Sequence, residues 1–184
     1  MTTLIEILPN RMNVTLSLAY ATNNNFTGKK IYKRSACFLH PKASEALDKA
    51  VVLASSIGYK IKIFDAFRPS EAQKIMWDYL PDPNYISNPK SGSPHSRGIA
   101  IDITLTNFDD EELEMGTPFD SFSEKSHHGY NDLNNKEQKN RMILLGIMTA
   151  AGWDHFKNEW WHYQLFNSKN YPVLTDKAAG SFLL

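Results

Sequence analysis

The alternating run GIAIDITL, at positions 98–105, constrains the fold of this 184-residue chain more than any other stretch. Successive side chains of a β-strand point to opposite faces of its sheet. Four aliphatic side chains therefore share one face: Ile99, Ile101, Ile103 and Leu105. The other face carries Ala100, Asp102 and Thr104. The first face is typical of a core strand, whereas a carboxylate beside a very small residue indicates that something binds against the second.

A second alternating run, YKIKIFDAF at 59–67, predicts another strand. Ser70 and Gln73 follow it with the spacing of a capping box, in which two side chains satisfy the first backbone N–H groups of a helix. We therefore expect a helix that begins near Ser70 and ends at Trp77 or Tyr79.

Periodicity, turn residues and aromatic content indicate the remaining elements. These are a helix over 44–58 with Gly58 as its C-cap, a proline-rich loop over 80–94, a helix from about Asn134 to Ala151, and an aromatic strand over 159–166. Helices and strands mix without regular βαβ alternation, which favours an α+β fold over a doubly wound one. We expect one domain over 1–184, with a central antiparallel sheet flanked by helices.

Composition excludes several classes of protein. Twenty basic and twenty acidic residues balance, which gives no support for a nucleic-acid or membrane partner. No apolar run approaches the ~20 residues that span a bilayer, and the N-terminus lacks the pattern of a signal peptide. The lone Cys37, among apolar neighbours, predicts a packed thiol in a cytoplasmic protein, although a cysteine-poor periplasmic protein has the same composition.

Two histidines and one aspartate form a candidate metal site. His95 precedes Asp102 by seven positions, which is ~23 Å in an extended chain at ~3.3 Å per residue. Ligands of one metal lie a few ångströms apart, so the chain must bend, and Pro94 and Gly98 permit this. His162, in EWWH, supplies a third ligand. Two imidazoles and one carboxylate are a three-ligand set for Zn²⁺ that leaves a fourth position for water.

Glu159 and Arg68 would complete a hydrolytic site. A metal lowers the pKa of its water, and a nearby carboxylate outside the ligand set takes the proton. Glu159 is the candidate base. Positions i and i+3 of a strand face opposite ways, so Glu159 should lie at a bend before the strand of His162. Arg68, between a strand and a helix N-terminus, would offer positive charge to an anionic intermediate.

The same residues are also compatible with a structural role or with different metal chemistry. Buried polar groups are usually paired for structural reasons, and an arginine before a proline is often an ion pair. A non-catalytic module with a structural zinc is a second class, but it would be expected to lose Glu159. An iron oxygenase also uses two histidines and a carboxylate, although it usually places His and Asp two positions apart.

Four segments together resemble the D-Ala-D-Ala dipeptidases, zinc peptidases related to D,D-carboxypeptidases. They are FDAFRP, SPHSRGIAID, GTPFDSFSEKSHH and EWWH. The second matches the family pattern S-x-H-x-x-G-x-A-x-D, and the last matches E-x-W-H. The resemblance extends from about Tyr20 to Tyr163 and is specific, because four separated motifs occur in the family's order.

The resemblance implies roles for individual residues. The ligands of one zinc ion per chain would be His95, Asp102 and His162. Glu159 would activate water and shuttle its proton, and Arg68 would stabilise the transition state. The family has an α+β fold with a central antiparallel sheet, which places the zinc site on the sheet.

The resemblance also implies how the substrate is held. Ser93 would help to bind it, Asp120 would meet its ammonium group, and Tyr20 would line the pocket. His127 and His128 belong to a family element that does not bind zinc, so we expect them to pack a loop.

The implied activity is zinc-dependent hydrolysis of the small D,D-dipeptide D-Ala-D-Ala to two D-alanines. The alternative is a D,D-carboxypeptidase or peptidoglycan endopeptidase with the same zinc chemistry and a longer substrate. Such an enzyme would be expected to be exported, and the missing signal peptide favours the dipeptidase. The resemblance implies one of two biological purposes for this activity: glycopeptide resistance or the recovery of D-alanine.

Overall fold

A five-stranded sheet organises residues 3–184, the part of the chain that the computed structural model describes. The strands are β1 (Ile5–Glu6), β2 (Val14–Leu16), β3 (Phe38–Leu39), β4 (Lys60–Asp65), β5 (Ala100–Thr106), β6 (Asp154–His155) and β7 (His162–Gln164). Strands β1 and β3 pair in a separate two-stranded sheet. The helices are α1 (Pro9–Met12), α2 (Pro41–Ser56), α3 (Ser70–Tyr79), α4 (Asn135–Ala150) and α5 (Asp176–Ala179). The predicted α+β class is confirmed.

The main sheet has the order β2-β4-β5-β7-β6. The pairs β4–β5, β5–β7 and β7–β6 are antiparallel, as predicted, but β2 pairs with β4 in parallel. The prediction of an antiparallel sheet is therefore wrong at one edge. No strand was expected at 14–16, because three residues are too few for a periodic signal and their pairing with 61–63 depends on a long-range contact.

The two faces of the central strands differ in chemistry, as alternation predicts. Ile61, Ile63, Ile101, Ile103 and Leu105 are fully buried in the main core. The same core contains Leu47 and Ala50 of α2 and Leu144 and Met148 of α4. The helices α2 and α4 contact each other, and they contact β4 and β6 respectively. The opposite face of β5 carries Asp102 and is the face of the site described below.

The observed α2 begins earlier than the predicted 44–58 helix. Pro41 occupies its first turn, where a missing N–H costs nothing, and His40 Nδ1 accepts a hydrogen bond from Lys42 N at 3.2 Å. The helix ends at Ser56, and Gly58 follows with φ +87°, a conformation that favours glycine. Helix α4 lies where the helix from about Asn134 to Ala151 was expected, and Asn134 is its N-cap in a complete capping box.

The capping box predicted for α3 is wrong. Pro69 is the N-cap, and no side chain caps this helix. Gln73 is buried instead, and its amide accepts a hydrogen bond from Arg68 and donates one to the carbonyl of Ser87. The predicted strand over 159–166 is also shorter than expected, since only His162–Gln164 pair with β5.

Cys37 is a packed thiol, as predicted. The residue is buried, and burial raises the pKa of its thiol well above the ordinary value. Within residues 3–184, none of the helices combines the length and apolar character needed to cross a membrane.

Candidate active site

Three polar side chains lie in a row across the sheet. In the strand register, Asp102 of β5 is directly opposite Asp65 of β4 on one side and His162 of β7 on the other. Directly opposed residues point to the same face of a sheet and bring their side chains together. The register therefore places Asp102 and His162 side by side, although they are 60 positions apart in sequence.

His95 reaches the same point through the predicted bend. It begins a 3₁₀ turn, His95–Arg97, that ends at Gly98 with φ +68°. A Cβ on Gly98 would lie 2.8 Å from Leu4 Cδ2 and 3.3 Å from His40 N, so this close turn requires glycine. His95 Nδ1 lies 2.7 Å from Ala66 O, and a proton on Nδ1 would be donated there. The turn thus directs Nε2 toward Asp102.

The three donor atoms form one compact cluster. His95 Nε2 is 3.1 Å from His162 Nδ1 and 3.3 Å from Asp102 Oδ2, and His162 Nδ1 is 3.1 Å from Asp102 Oδ1. All three residues are buried, with exposed fractions of 2%, 2% and 7% for His95, Asp102 and His162. Within residues 3–184, no other group of three or more His, Cys, Asp or Glu side chains brings its donor atoms within 4.8 Å of one another.

The cluster fits a tetrahedral metal. Bonds of about 2.0–2.1 Å to zinc place neighbouring donor atoms about 3.3–3.4 Å apart, close to the distances observed here. Burial opposes ionisation of Asp102, but the adjacent His95 and His162 outweigh it and hold the pKa of this carboxyl well below its usual range. The site therefore offers two imidazoles and an anionic carboxylate.

Glu159 lies beside this cluster but outside the ligand set. It precedes β7 in a turn, as the spacing of EWWH predicted, and its Oε2 is 3.9 Å from His162 Nδ1. Only 6% of the residue is exposed. Burial is the main cause that raises the pKa of Glu159 to about 8, and Asp102 and Asp120 act in the same direction. A carboxyl with this environment can both take and give a proton near neutral pH.

Arg68 is held rigidly at the edge of the cluster. Its Nε donates to Asp65 Oδ2 at 2.9 Å, its Nη1 donates to Gln73 Oε1 at 3.0 Å, and its Nη2 is 3.5 Å from Asp102 Oδ2. Tyr32 donates its hydroxyl proton to Asp65 Oδ1 at 3.0 Å. The guanidinium is buried and can face an oxyanion without reorganising.

The residues that hold Arg68 were not predicted from the sequence. Asp65 ends an apolar strand in the segment FDAFRP, and a lone carboxylate at that place was a signal comparable to Asp102 in GIAIDITL. Gln73 offered no comparable signal, because its spacing from Ser70 suggested a helix cap instead.

Asp120 and Tyr20 form the opposite wall of the site. The Tyr20 hydroxyl lies 3.1 Å from both carboxylate oxygens of Asp120 and donates to them. Burial raises the pKa of Asp120 to about 8, and Asp102 adds to the effect. The Arg68 guanidinium lies over the Tyr20 ring, 5.0 Å from its centroid. Tyr20 therefore links the predicted transition-state residue to the predicted ammonium-binding residue.

The segment that carries Asp120 is joined to the turn that carries Glu159. Trp160 Nε1 donates to Thr117 Oγ1 at 2.9 Å, and Trp160 N donates to Ser126 O at 3.0 Å. These bonds bridge two parts of the chain that are more than 30 positions apart. They set the position of Asp120 relative to Glu159.

All eight residues predicted for the site line a single cavity of about 260 Å³: Tyr20, Arg68, Ser93, His95, Asp102, Asp120, Glu159 and His162. Ser93 is buried, and its Oγ accepts a hydrogen bond from His95 N at 3.2 Å. Aromatic side chains complete the wall: Tyr85, Phe122, Phe156 and Trp161. Gln164 also lines the cavity and was not predicted from the sequence.

His127 and His128 lie outside the donor cluster, as expected. The His127 ring is 6.3 Å from that of Tyr85, and the His128 ring lies 4.9 Å from that of His155 and 6.2 Å from that of Tyr163. These contacts are consistent with loop packing.

Comparison with known proteins gives a consistent set of relatives. Residues 3–178 match the model of a peptidase family, M15, described as D-Ala-D-Ala dipeptidase. A D-alanyl-D-alanine dipeptidase of Escherichia coli is 39% identical over 176 residues, which cover 96% of this chain and 91% of that protein. One of Enterococcus faecalis is 35% identical over 174 residues, which cover 83% of this chain and 86% of that protein.

Among solved structures, the LdcB LD-carboxypeptidase superimposes with a TM-score of 0.50 at 17% sequence identity. The alignment covers 94% of this chain and 76% of that one. At this low identity the similarity concerns the fold alone, and it supports the α+β class.

Proposed function

The chain belongs to the D-Ala-D-Ala dipeptidase family of peptidases, and we propose that it hydrolyses D-Ala-D-Ala to two D-alanines with one zinc ion per chain. The proposed zinc ligands are His95, Asp102 and His162. The family match over residues 3–178 supports one domain over 1–184, and the single buried cysteine is compatible with a cytoplasmic location.

One observation carries the proposal: a single small cavity is lined by the His-Asp-His cluster and by two further buried carboxyls. Glu159 lies beside the cluster, and Asp120 lies on the opposite wall. Its volume of about 260 Å³ lies below the range of about 300–1,000 Å³ that is typical of small-molecule pockets. A free dipeptide is a ligand of suitable size, and a longer peptide would have to extend beyond the aromatic wall.

The residues divide the chemistry of hydrolysis among them. A zinc ion here would lower the pKa of a water molecule and polarise the carbonyl of the scissile amide. Glu159 takes the proton of the attacking water and delivers it to the amine that leaves. Arg68, fixed by Asp65 and Gln73, faces the negative charge that develops on the carbonyl oxygen.

Asp120 recognises the free amino end of the substrate in this proposal. Its carboxylate is held by Tyr20 and has no cationic side chain within ion-pair distance among residues 3–184, so a substrate ammonium would be its partner. A peptide with an acylated amino group would leave the Asp120 carboxyl without an ion-pair partner, either ionised at a cost of several kcal/mol or protonated and without the attraction that an ammonium group supplies. The site would thus select a free dipeptide over longer chains.

The decisive assay incubates the zinc-loaded protein with D-Ala-D-Ala, L-Ala-L-Ala or N-acetyl-D-Ala-D-Ala and quantifies free alanine. We expect release from D-Ala-D-Ala alone. Cleavage of the acetylated compound at a similar rate would indicate a D,D-carboxypeptidase instead. No cleavage of any compound by protein that binds zinc would contradict an enzymatic role on this substrate class.

Replacing Asp120 with alanine should abolish much of this selectivity. Truncating one partner of a buried charge pair typically costs about 2–5 kcal/mol, so kcat/KM for D-Ala-D-Ala should fall by about 30-fold or more. Hydrolysis of N-acetyl-D-Ala-D-Ala should not fall, because it makes no ion pair with Asp120. Asp109→Ala, at an exposed carboxylate, is the matched control. If Asp120→Ala changed kcat/KM for D-Ala-D-Ala and for N-acetyl-D-Ala-D-Ala by the same factor, this role would be refuted.

A further inference from the structure

We propose that Gln164 is a positioning residue for the zinc ligand His162. Its amide oxygen accepts the proton on His162 Nε2 and so presents Nδ1, with a free lone pair, to the metal. The inference rests on the proposed zinc site and adds to it a residue that touches neither the metal nor the reacting atoms.

The geometry of β7 brings the two side chains together. His162 and Gln164 are two positions apart on one strand, so both point to the site face. The distance from His162 Nε2 to Gln164 Oε1 is 3.1 Å. Gln164 is directly opposite Ala100 in the strand register, and this small side chain leaves room for the amide to lie along the sheet.

The proton on His162 must be on Nε2 if the residue is a ligand here. A neutral imidazole carries one N–H, and the metal needs the other nitrogen. Nδ1 is the nitrogen that faces His95 and Asp102, at 3.1 Å from each. Nε2 therefore carries the proton, and the Gln164 amide oxygen is placed to accept it.

The two histidine ligands differ in the kind of acceptor that orients them. His95 is oriented by the backbone carbonyl of Ala66, which no side-chain substitution removes. His162 is oriented by a side chain, so its orientation depends on residue identity at position 164. Losing such an outer partner of a metal ligand typically lowers metal affinity or activity by 10- to 100-fold.

A simpler role is that Gln164 only forms part of the cavity wall. The two roles differ in what they predict for metal binding without substrate. A wall residue would affect KM for the dipeptide and leave zinc affinity unchanged. A positioning residue would affect zinc affinity before any substrate is added.

The test compares Gln164→Leu, which removes the acceptor at similar size, with Gln164→Glu, which keeps it. Zinc affinity is measured by competition with a chromophoric chelator, without substrate. We expect Gln164→Leu to bind zinc about 10- to 100-fold more weakly, and Gln164→Glu to bind it at least as tightly as the wild type. Gln138→Leu, at another half-buried, hydrogen-bonded glutamine on α4, is the matched control and should bind zinc normally.

A second measurement reports on the ring itself. Long-range ¹H–¹⁵N spectra of the zinc-loaded protein should show the Nε2 proton of His162 in slow exchange with solvent in the wild type and in Gln164→Glu, where it is hydrogen-bonded, and in faster exchange in Gln164→Leu. Equal zinc affinity in the wild type and Gln164→Leu would overturn the inference while leaving the zinc site intact. Equal weakening by both substitutions would also overturn it. A wild-type chain that fails to bind zinc would overturn the proposed function as well.

Discussion

Replacing Glu159 with glutamine should lower kcat for D-Ala-D-Ala by about 10²- to 10⁴-fold, the usual contribution of a positioned general base. Three carboxyl groups line the cavity. Asp102 belongs to the donor cluster, and Asp120 is bound by Tyr20 on the opposite wall. Glu159 is the carboxyl that remains for proton transfer, and its burial gives it a pKa close to the working pH.

The glutamine variant separates proton transfer from metal binding. It keeps the size of the side chain but cannot take a proton from water. Steady-state kinetics and zinc content, measured on the same preparation, should therefore show a low kcat with one zinc per chain. Glu45→Gln, at an exposed position of α2, should be unaffected. A normal kcat would contradict the role of Glu159 as base, and loss of zinc would make it a ligand instead.

Removal of the metal should have an equally large effect. Treatment with a chelator should reduce hydrolysis of D-Ala-D-Ala to background, and one equivalent of Zn²⁺ per chain should restore it. The reason is that Glu159 and Arg68 alone provide no polarised carbonyl and no acidified water. Zinc binding should also raise the melting temperature, since a ligand at about 1,000 times its Kd contributes about 4 kcal/mol of stability.

The ligand assignment itself is tested by two histidine substitutions. His95→Ala removes one of three donors and should lose both activity and the stabilisation by zinc. His155→Ala, at an exposed position on β6, should keep both. Full activity in the chelated wild-type protein, or normal zinc stabilisation of His95→Ala, would exclude the proposed site.

Much of the site could be predicted from local sequence because its constraints are local. Alternation in GIAIDITL placed Asp102 on the face opposite the aliphatic core, and the structure confirms that face. Gly98 predicted the bend that returns His95 to the strand, and it has the positive φ that such a bend needs. The i,i+3 spacing of Glu159 and His162 predicted a turn before the strand, which is also observed.

The environment of Arg68 could not be predicted in the same way. Its partners Asp65 and Gln73 come from the end of β4 and from α3, and Tyr32 joins them from a distant loop. Gln73 illustrates the physical reason. Local spacing suggested a helix cap, but a buried guanidinium needs acceptors, and burial in the folded protein, which the spacing does not reveal, decided where the amide points.

Local sequence patterns were therefore enough to propose the chemistry of this protein: the side chains that would bind a metal, the carboxyl that would act as base, and the strand that carries Asp102. Tertiary structure alone decided the register that sets Asp102 between Asp65 and His162, the parallel edge strand β2, and the wall that brings Asp120 opposite the donor cluster. The division has one physical cause. Periodicity and turn chemistry act over a few residues, whereas strand pairing and the pairing of buried charges join residues that are tens of positions apart.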